Sequence, residues 1–261
     1  MAQNLDMQQY AGNPLRRFSK SVFFLLGLVA LTACARPATM DEIHDPFEAT
    51  NRKVHAFNKS LDQAFLRPAG QVYVDVLPNP VEIGISNFSR NMDVPASVVN
   101  NLLQLDLPAA LENTVRFGVN STVGLLGQID VAGEVGLYGN AADFGQTLDR
   151  WGVGEGPYLE LPALGGSTGR DAAGALVDAM FNPLTVTLPD YWKISGPMVK
   201  SLAMVGDRGR FSDTVDSILY DSADSYAQAR LFYLQSRRHE LGLKVEEEDV
   251  FDPYEELYGD F

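Results

Sequence analysis

Between Val94 and Ala132 only Asp106, Glu112, Arg116 and Asp130 are ionised, yet nowhere does this stretch run to the roughly 18 uninterrupted apolar residues that a membrane-spanning helix requires. An apolar segment broken up in this way has two outlets. It can form an ordinary buried core, or it can supply elements that lie in or against a bilayer around a polar opening. Either way its pieces must be helices or strands short enough to be covered by their neighbours.

Helical spacing dominates on both sides. Phe47, Val54, Phe57, Leu61 and Phe65 recur on one helical face, as do Val81, Ile85, Phe88 and Met92, and then Leu111, Val115, Val119, Thr122 and Leu126. Asp45-Pro46 with Glu48, and Asn79-Pro80 with Glu82, have the form of a capping residue before a first-turn proline with an acid at the third position. Pro108 and Pro197 are read as opening helices too. Val72 to Val76 alternates like a strand, but it has no partner nearby and Pro78 and Pro80 close it off, so it is assigned to a helix. From Asp207 to Leu241 one long helix is predicted, acidic early and basic late, in the order that suits a helix dipole. The fold class is therefore mainly α.

Asp143 to Asp171 is rich in glycine: Gly145, Gly152, Gly154, Gly156, Gly165, Gly166 and Gly169, with Gly139 just upstream, beside Trp151 and Tyr158. A shaped, partly mobile loop system is expected there, anchored by the two amphipathic aromatics.

The N-terminus reads as an address. Arg16, Arg17 and Lys20 precede the uncharged run Val22 to Ala33, about 18 Å long as a helix and too short to span a bilayer. It ends in Leu31-Thr32-Ala33-Cys34, which resembles the lipobox of bacterial lipoproteins, and Cys34 is the chain's single cysteine. Lipidation at Cys34 is expected, with the outer membrane as destination because Ala35 rather than aspartate follows. Residues 1–33 are then a removed signal peptide, 34–44 a lipidated linker, 45–241 a helical domain and 242–261 an acidic tail expected to be disordered or loosely attached.

Charge and chemistry exclude several roles. The net charge is −14, and without residues 1–33 the chain keeps 17 basic against 33 acidic side chains, so bulk attraction to nucleic acid or anionic headgroups is ruled out. His44, His55 and His239 lie far apart in sequence, so no metal site is expected. Gly152 to Gly156 lacks the dinucleotide fingerprint and no P-loop occurs, so no nucleotide cofactor is expected and any transport is passive or driven by partners. Gly165-Gly166-Ser167-Thr168-Gly169 matches the G-x-S-x-G of a lipase elbow, which makes a lipid hydrolase acting through Ser167 the alternative. An elbow needs a parallel sheet, and Pro162 interrupts the run before the serine. Ser167 is read instead as a helix N-cap.

The motifs DPFEATNR at 45–52, ISNFSRNMDVPASVVNNLLQ at 85–104, RFGVNSTVGLLGQIDVA at 116–132 and DFGQTLDRWGVGEGPYLELPALG at 143–165 together resemble the MlaA (VacJ) lipoprotein family of Gram-negative outer membranes. The resemblance implies a ring-shaped helical domain embedded from the periplasmic side, with an amphipathic central channel. Through it, phospholipids misplaced in the outer leaflet pass to a periplasmic phospholipid-binding carrier, in association with a trimeric porin and without enzymatic activity. On that reading Asn113, Arg116, Asn120 and Thr122 either line the channel or bond one helix to another. Asp143, Gly145, Trp151, Gly152, Gly154, Gly156 and Tyr158 are the loop and gate candidates.

Overall fold

The structure, a computed structural model, describes residues 44–184 and 192–243. Residues 1–33, expected to be a signal peptide, Cys34 and most of the acidic tail lie outside the described residues. The first helix, α1, runs over Glu48–Leu61, passes through a π-helical turn at Asp62–Leu66 and continues as α2, Arg67–Val76. The turn has a local cause. Pro68 has no N–H and its ring would crowd the carbonyl one turn back, and the wider π spacing relieves that conflict. Val72 to Val76 is helical, as assigned.

Next comes α3, Asn79–Leu103, about 37 Å long, with Pro95 inside it. A tight corner at Leu105, which has positive φ, leads to α4, Leu107–Thr122, whose first turn is capped by Asp106. The short α5, Val131–Glu134, and α6, Phe144–Arg150, are capped by Asp130 and Asp143. An antiparallel hairpin follows, β1 (Tyr158–Leu161) with β2 (Gly165–Thr168), in the register Tyr158 to Thr168. Then come α7, Gly169–Phe181, and α8, Trp192–Arg210. The last elements are α9, Ser212–Asp216, a second π turn at Ser217–Asp221, and α10, Ser225–Glu240.

Several sequence expectations are corrected. Neither Asp45 nor Asn79 caps a helix: α1 starts after Phe47 and α3 after Pro78, each without a side-chain cap. Asp45 is drawn away by Tyr226 and Arg230. Pro197 sits inside α8, which begins upstream of it. α4 stops at Thr122, and Leu126, expected to extend it, has φ of 63°. The predicted helix from Asp207 to Leu241 is broken at Phe211 and again near Ser222, where the backbone turns extended. Ser167 is on β2, and Thr168 is the residue that caps α7 through Asp171 N.

Packing neighbours follow one another in a closed circuit. α1 and its π turn lead to α2, α2 packs on α8, α8 on α3, α3 on α6, α6 on α7, α7 on β2, and β1 returns to α1. α10 packs on β2 and on the second π turn, and so straps one side of that circuit. The α2–α8 crossing is close because both partners present glycine: a Cβ on Gly209 would meet the Gly70 carbonyl oxygen at 2.2 Å.

Candidate functional site

The burial pattern of α3 and α4 is inverted relative to a water-soluble core. The inward stripe is polar, with Glu82, Ser86, Ser89, Asn91, Ser97, Asn100 and Asn101 on α3 and Asn113 and Asn120 on α4. The outward face carries Val81, Ile83, Val99, Leu102, Leu103, Leu107, Leu111 and Val115, and the corner after α4 adds Val123, Leu125, Leu126 and Ile129. Leu111 is 66% exposed while Asn113, two residues on, is 3% exposed. In water this arrangement forfeits hydrophobic burial, and a continuous exposed apolar face of this kind marks a surface that meets an apolar medium or a partner. None of the described helices is long and apolar enough to cross a membrane.

Much of the buried stripe is joined by amide chemistry. Asn113 Nδ2 donates to Asn101 Oδ1 at 2.8 Å and to the Asn140 carbonyl at 2.7 Å. Thr147 Oγ1 donates to Asn100 Oδ1 at 2.9 Å, and Asn100 Nδ2 donates to Asp178 at 2.9 Å. Arg116 gives one N–H to the Leu137 carbonyl at 2.6 Å and another to Asp130 at 2.7 Å, and Asn120 joins Asp130 at 2.8 Å. Burial pushes the Asp130 carboxyl up, but bonds from Asn120, Gly133 N and Arg116 hold it below the usual carboxylate range. Arg116 and Asn120 therefore meet at one carboxylate, and Asn113 lies one turn before Arg116 and two before Asn120 on the same helix. Thr122 does not join them: its hydroxyl returns to the Gly118 carbonyl on the exposed side.

Two clefts flank the β-hairpin and share Leu164 and Gly166 in their walls. The larger, about 470 Å³, lies between the hairpin, α7 and α10. Leu161, Leu164 and Phe232 give it an apolar flank, and Asp143, Asp171, Asp178 and Arg237 give it a polar one. Arg237 is the hub. It donates to both oxygens of Asp143 at 2.8 Å and to Asp171 at 2.9 Å. Burial opposes ionisation of Asp171, and the Arg237 bond and charge, with Tyr233 and Thr168, override it and keep its carboxyl low. Asp178 goes the other way. Burial raises it, aided by the charges of Asp143 and Asp93 and opposed by bonds from Phe144 N and Asn100.

The smaller cleft, about 260 Å³, adjoins a charge cluster where the two π turns meet. Arg208 binds Asp62 through two bonds, 2.7 and 2.9 Å, and reaches Asp216 at 2.6 Å; Arg67 and Tyr220 complete the group. Beside it, Asn51 and Asn58 of α1 hold the hairpin by bonds to the backbone of Tyr158, Glu160, Leu161 and Ala163.

The loop and gate candidates disperse. Asp143 and Gly145 join Arg237 and Asp171, and Gly145 is there because a Cβ would fall 2.5 Å from the Asp171 carboxylate. Tyr158 is buried and donates to Glu160 at 2.5 Å. Trp151 is exposed, ties its Nε1 to the Leu103 carbonyl at 3.2 Å and meets Phe144 edge-on. Gly152 and Gly156 take positive φ at turns, and Gly154 lies between them in the loop. Arg237, Asp171, Arg208, Asp62 and Glu160 were not singled out from sequence. Arg237 and Asp171 are 66 residues apart and Arg208 and Asp62 are 146 apart, so no local pattern marks these pairs.

Two serines bear on catalysis. Ser167 Oγ donates to the Thr168 carbonyl at 3.3 Å and lies on an antiparallel strand without a histidine partner among the described residues. Ser225 Oγ is 3.1 Å from His55 Nε2, and His55 Nδ1 is 3.3 Å from Glu160. At the start of α10 the Ala227 amide is taken by Asp224, whose carboxyl Arg52 pushes down to about 2. Among the described residues no cluster of His, Cys, Asp or Glu is placed to hold a metal.

Comparison with known proteins agrees with this geometry. A family model described as MlaA lipoprotein matches residues 43–240. The chain is 35% identical over 225 residues to the intermembrane phospholipid transport system lipoprotein MlaA of Shigella flexneri, covering 83% of this chain and 85% of that one. It is 34% identical over 225 residues to the protein of the same name in Escherichia coli. An uncharacterized protein of Rickettsia bellii is 36% identical over 197 residues. A solved structure described as the structural basis for maintenance of bacterial outer membrane lipid asymmetry superposes with a TM-score of 0.65. It is 34% identical and covers 76% of this chain and 98% of its own.

Proposed function

The chain belongs to the MlaA lipoprotein family, and from that membership we propose that it serves intermembrane phospholipid transport, withdrawing misplaced phospholipid from the outer leaflet of the outer membrane. The observation that carries this reading is the inverted wall of α3 and α4, with leucine and valine outside and asparagine and serine inside. An apolar exterior lets the closed circuit of helices sit in a leaflet, where backbone polar groups must be satisfied internally, as helices do. A polar interior gives a headgroup somewhere to be while its tails remain in hydrocarbon, which lowers the barrier to passage. Trp151, at the exposed rim beside Leu102 and Leu103, suits the headgroup boundary.

On this proposal Cys34 carries the lipid anchor, and Asn113, Arg116 and Asn120 belong to the polar lining. A periplasmic carrier receives the lipid, a trimeric porin is the membrane partner, and no chemical turnover takes place. The clefts on either side of the hairpin, apolar on one flank and charged on the other, are the stations where a departing amphiphile fits.

The test is gene deletion with complementation. Loss of the gene is expected to raise surface phospholipid and detergent sensitivity; wild type and Ser167→Ala restore the barrier, and Cys34→Ser does not. Unchanged surface phospholipid after deletion would refute transport. Failure of Ser167→Ala together with lysophospholipid accumulation in the wild type would establish the hydrolase instead.

A further inference from the structure

A small pocket of about 50 Å³ lies between α3 and the corner after α4, apart from the two hairpin clefts. Its wall includes Arg90, Asn91, Arg116, Asn120, Gly127 and Asp130. We propose that it is a headgroup subsite for a zwitterionic phospholipid, with the phosphodiester at Arg90 and a primary ammonium at Asn91 Oδ1 beside Asp130. This rests on the transport reading above and narrows it to one headgroup class.

Three observations carry it. Asn91 is 6% exposed, and its Nδ2 donates to Ser121 Oγ at 3.0 Å and to the Leu126 carbonyl at 3.4 Å. Those bonds fix which end of the amide is oxygen, and that oxygen is buried without a partner. A bare buried acceptor of this kind calls for a donor. Gly127 is shaped around it: with φ of +93° it passes so close that a Cβ would sit 2.4 Å from the Asn91 side chain.

Next, the pocket has one anchored negative charge and one uncommitted positive one. Asp130 is ionised and fastened by Arg116, Asn120 and Gly133 N, whereas Arg90 is exposed and has no hydrogen bond or ion pair among the described residues. A guanidinium free of carboxylate partners can take a phosphodiester oxygen. An ammonium is close to water in size, and this volume holds one or two such groups. A trimethylammonium is too large for it and has no N–H to give.

Last, the mouth adjoins hydrocarbon-compatible surface. Leu125, Leu126 and Ile129 are all exposed on the corner that closes the pocket, so acyl chains can leave the headgroup without crossing polar ground.

The test uses the full-length lipoprotein in detergent, delipidated and then equilibrated with equal amounts of phosphatidylethanolamine and phosphatidylcholine of matched chains, with retained lipid counted by mass spectrometry. The expected result is retention of the ethanolamine lipid over the choline lipid by about fivefold or more. Arg90→Gln, which alters an exposed side chain and is checked by its melting temperature, is expected to lower retention of both. Soluble O-phosphoethanolamine at matched concentration is expected to leave the bound lipid in place.

Equal retention of the two lipids would mean that the pocket holds only water and would overturn the subsite while sparing transport. So would undiminished retention in Arg90→Gln. Displacement by the soluble headgroup at matched concentration would overturn the lipid as ligand. Retention of neither lipid would overturn subsite and transport together.

Discussion

The wall of α3 and α4 and the opposite flank, where α10 straps the hairpin, are built from the same helical repertoire and held together by different chemistry. The first is joined mostly by neutral amides and hydroxyls, Asn101 to Asn113 and Thr147 to Asn100, with the pairs Arg116–Asp130 and Arg210–Glu82 as its charges. The second has the small aromatic and leucine cluster of Tyr158, Tyr226 and Leu234 and the ionic hubs Arg237 and Arg208. Charge is expensive near hydrocarbon, and neutral hydrogen bonds cost far less there. The ion pairs with both partners buried, Arg208 with Asp62 and Arg237 with Asp171, lie on the α10 flank, whereas the pairs on the α3–α4 wall, Arg116 with Asp130 and Arg210 with Glu82, each keep one partner partly exposed. On the transport reading, that difference follows from which medium each side meets.

That contrast can be broken most severely on the ionic flank. Arg208→Met leaves Asp62 buried without its partner and is expected to cost about 3–5 kcal/mol, a fall of roughly 10 °C in melting temperature for a domain of this size.

On the other wall, Leu111→Asp should leave the melting temperature nearly unchanged because the side chain touches no core. In a Cys34→Ser background it should weaken liposome flotation by about 2.5–3.5 kcal/mol. Should Leu111→Asp unfold the protein and leave flotation intact, the outer face is no membrane face.

Asn101→Ala, which strips Asn113 of an acceptor, is expected to cost about 1–3 kcal/mol, less than the charge deletion. A loss equal to that of Arg208→Met would erase the distinction between the two walls.

The smallest effect is in pH. Asp45, Glu160 and Asp171 are each held below the usual carboxylate range against the pull of burial, by Tyr226, His55 and Arg237 among others. The stability they give is present above about pH 4 and is lost as pH falls through their depressed values. Asp178 is raised by burial, so its contribution has the opposite sign: full below about pH 4 and lost as pH rises. Asp178→Asn is therefore expected to be neutral or stabilising at pH 7, within about 1 kcal/mol, with the advantage vanishing in urea melts at pH 3.

Part of the site was readable beforehand. Arg116, Asn113 and Asn120 stand out as polar residues on an apolar segment, and the structure joins Arg116 to Asn120 through Asp130. Thr122, picked by the same rule, bonds only within its own helix. The glycine stretch is conspicuous in the sequence, but its partner Arg237, 94 residues from Asp143, carries no local mark of that pairing.

By itself the sequence determined that the chain is mainly helical, because spacing and prolines act within a turn or two, but not where the long run from Asp207 to Leu241 breaks. It also determined the family, through long runs of matching motif. Periodicity says that a helix has two faces and cannot say which one turns inward. That choice belongs to the tertiary structure, since it depends on what each face meets. Here α3 and α4 turn their asparagines and serines in and their leucines out. The same limit applies to Arg208 with Asp62, 146 residues apart: only closure of the helical circuit brings two such charges out of water together.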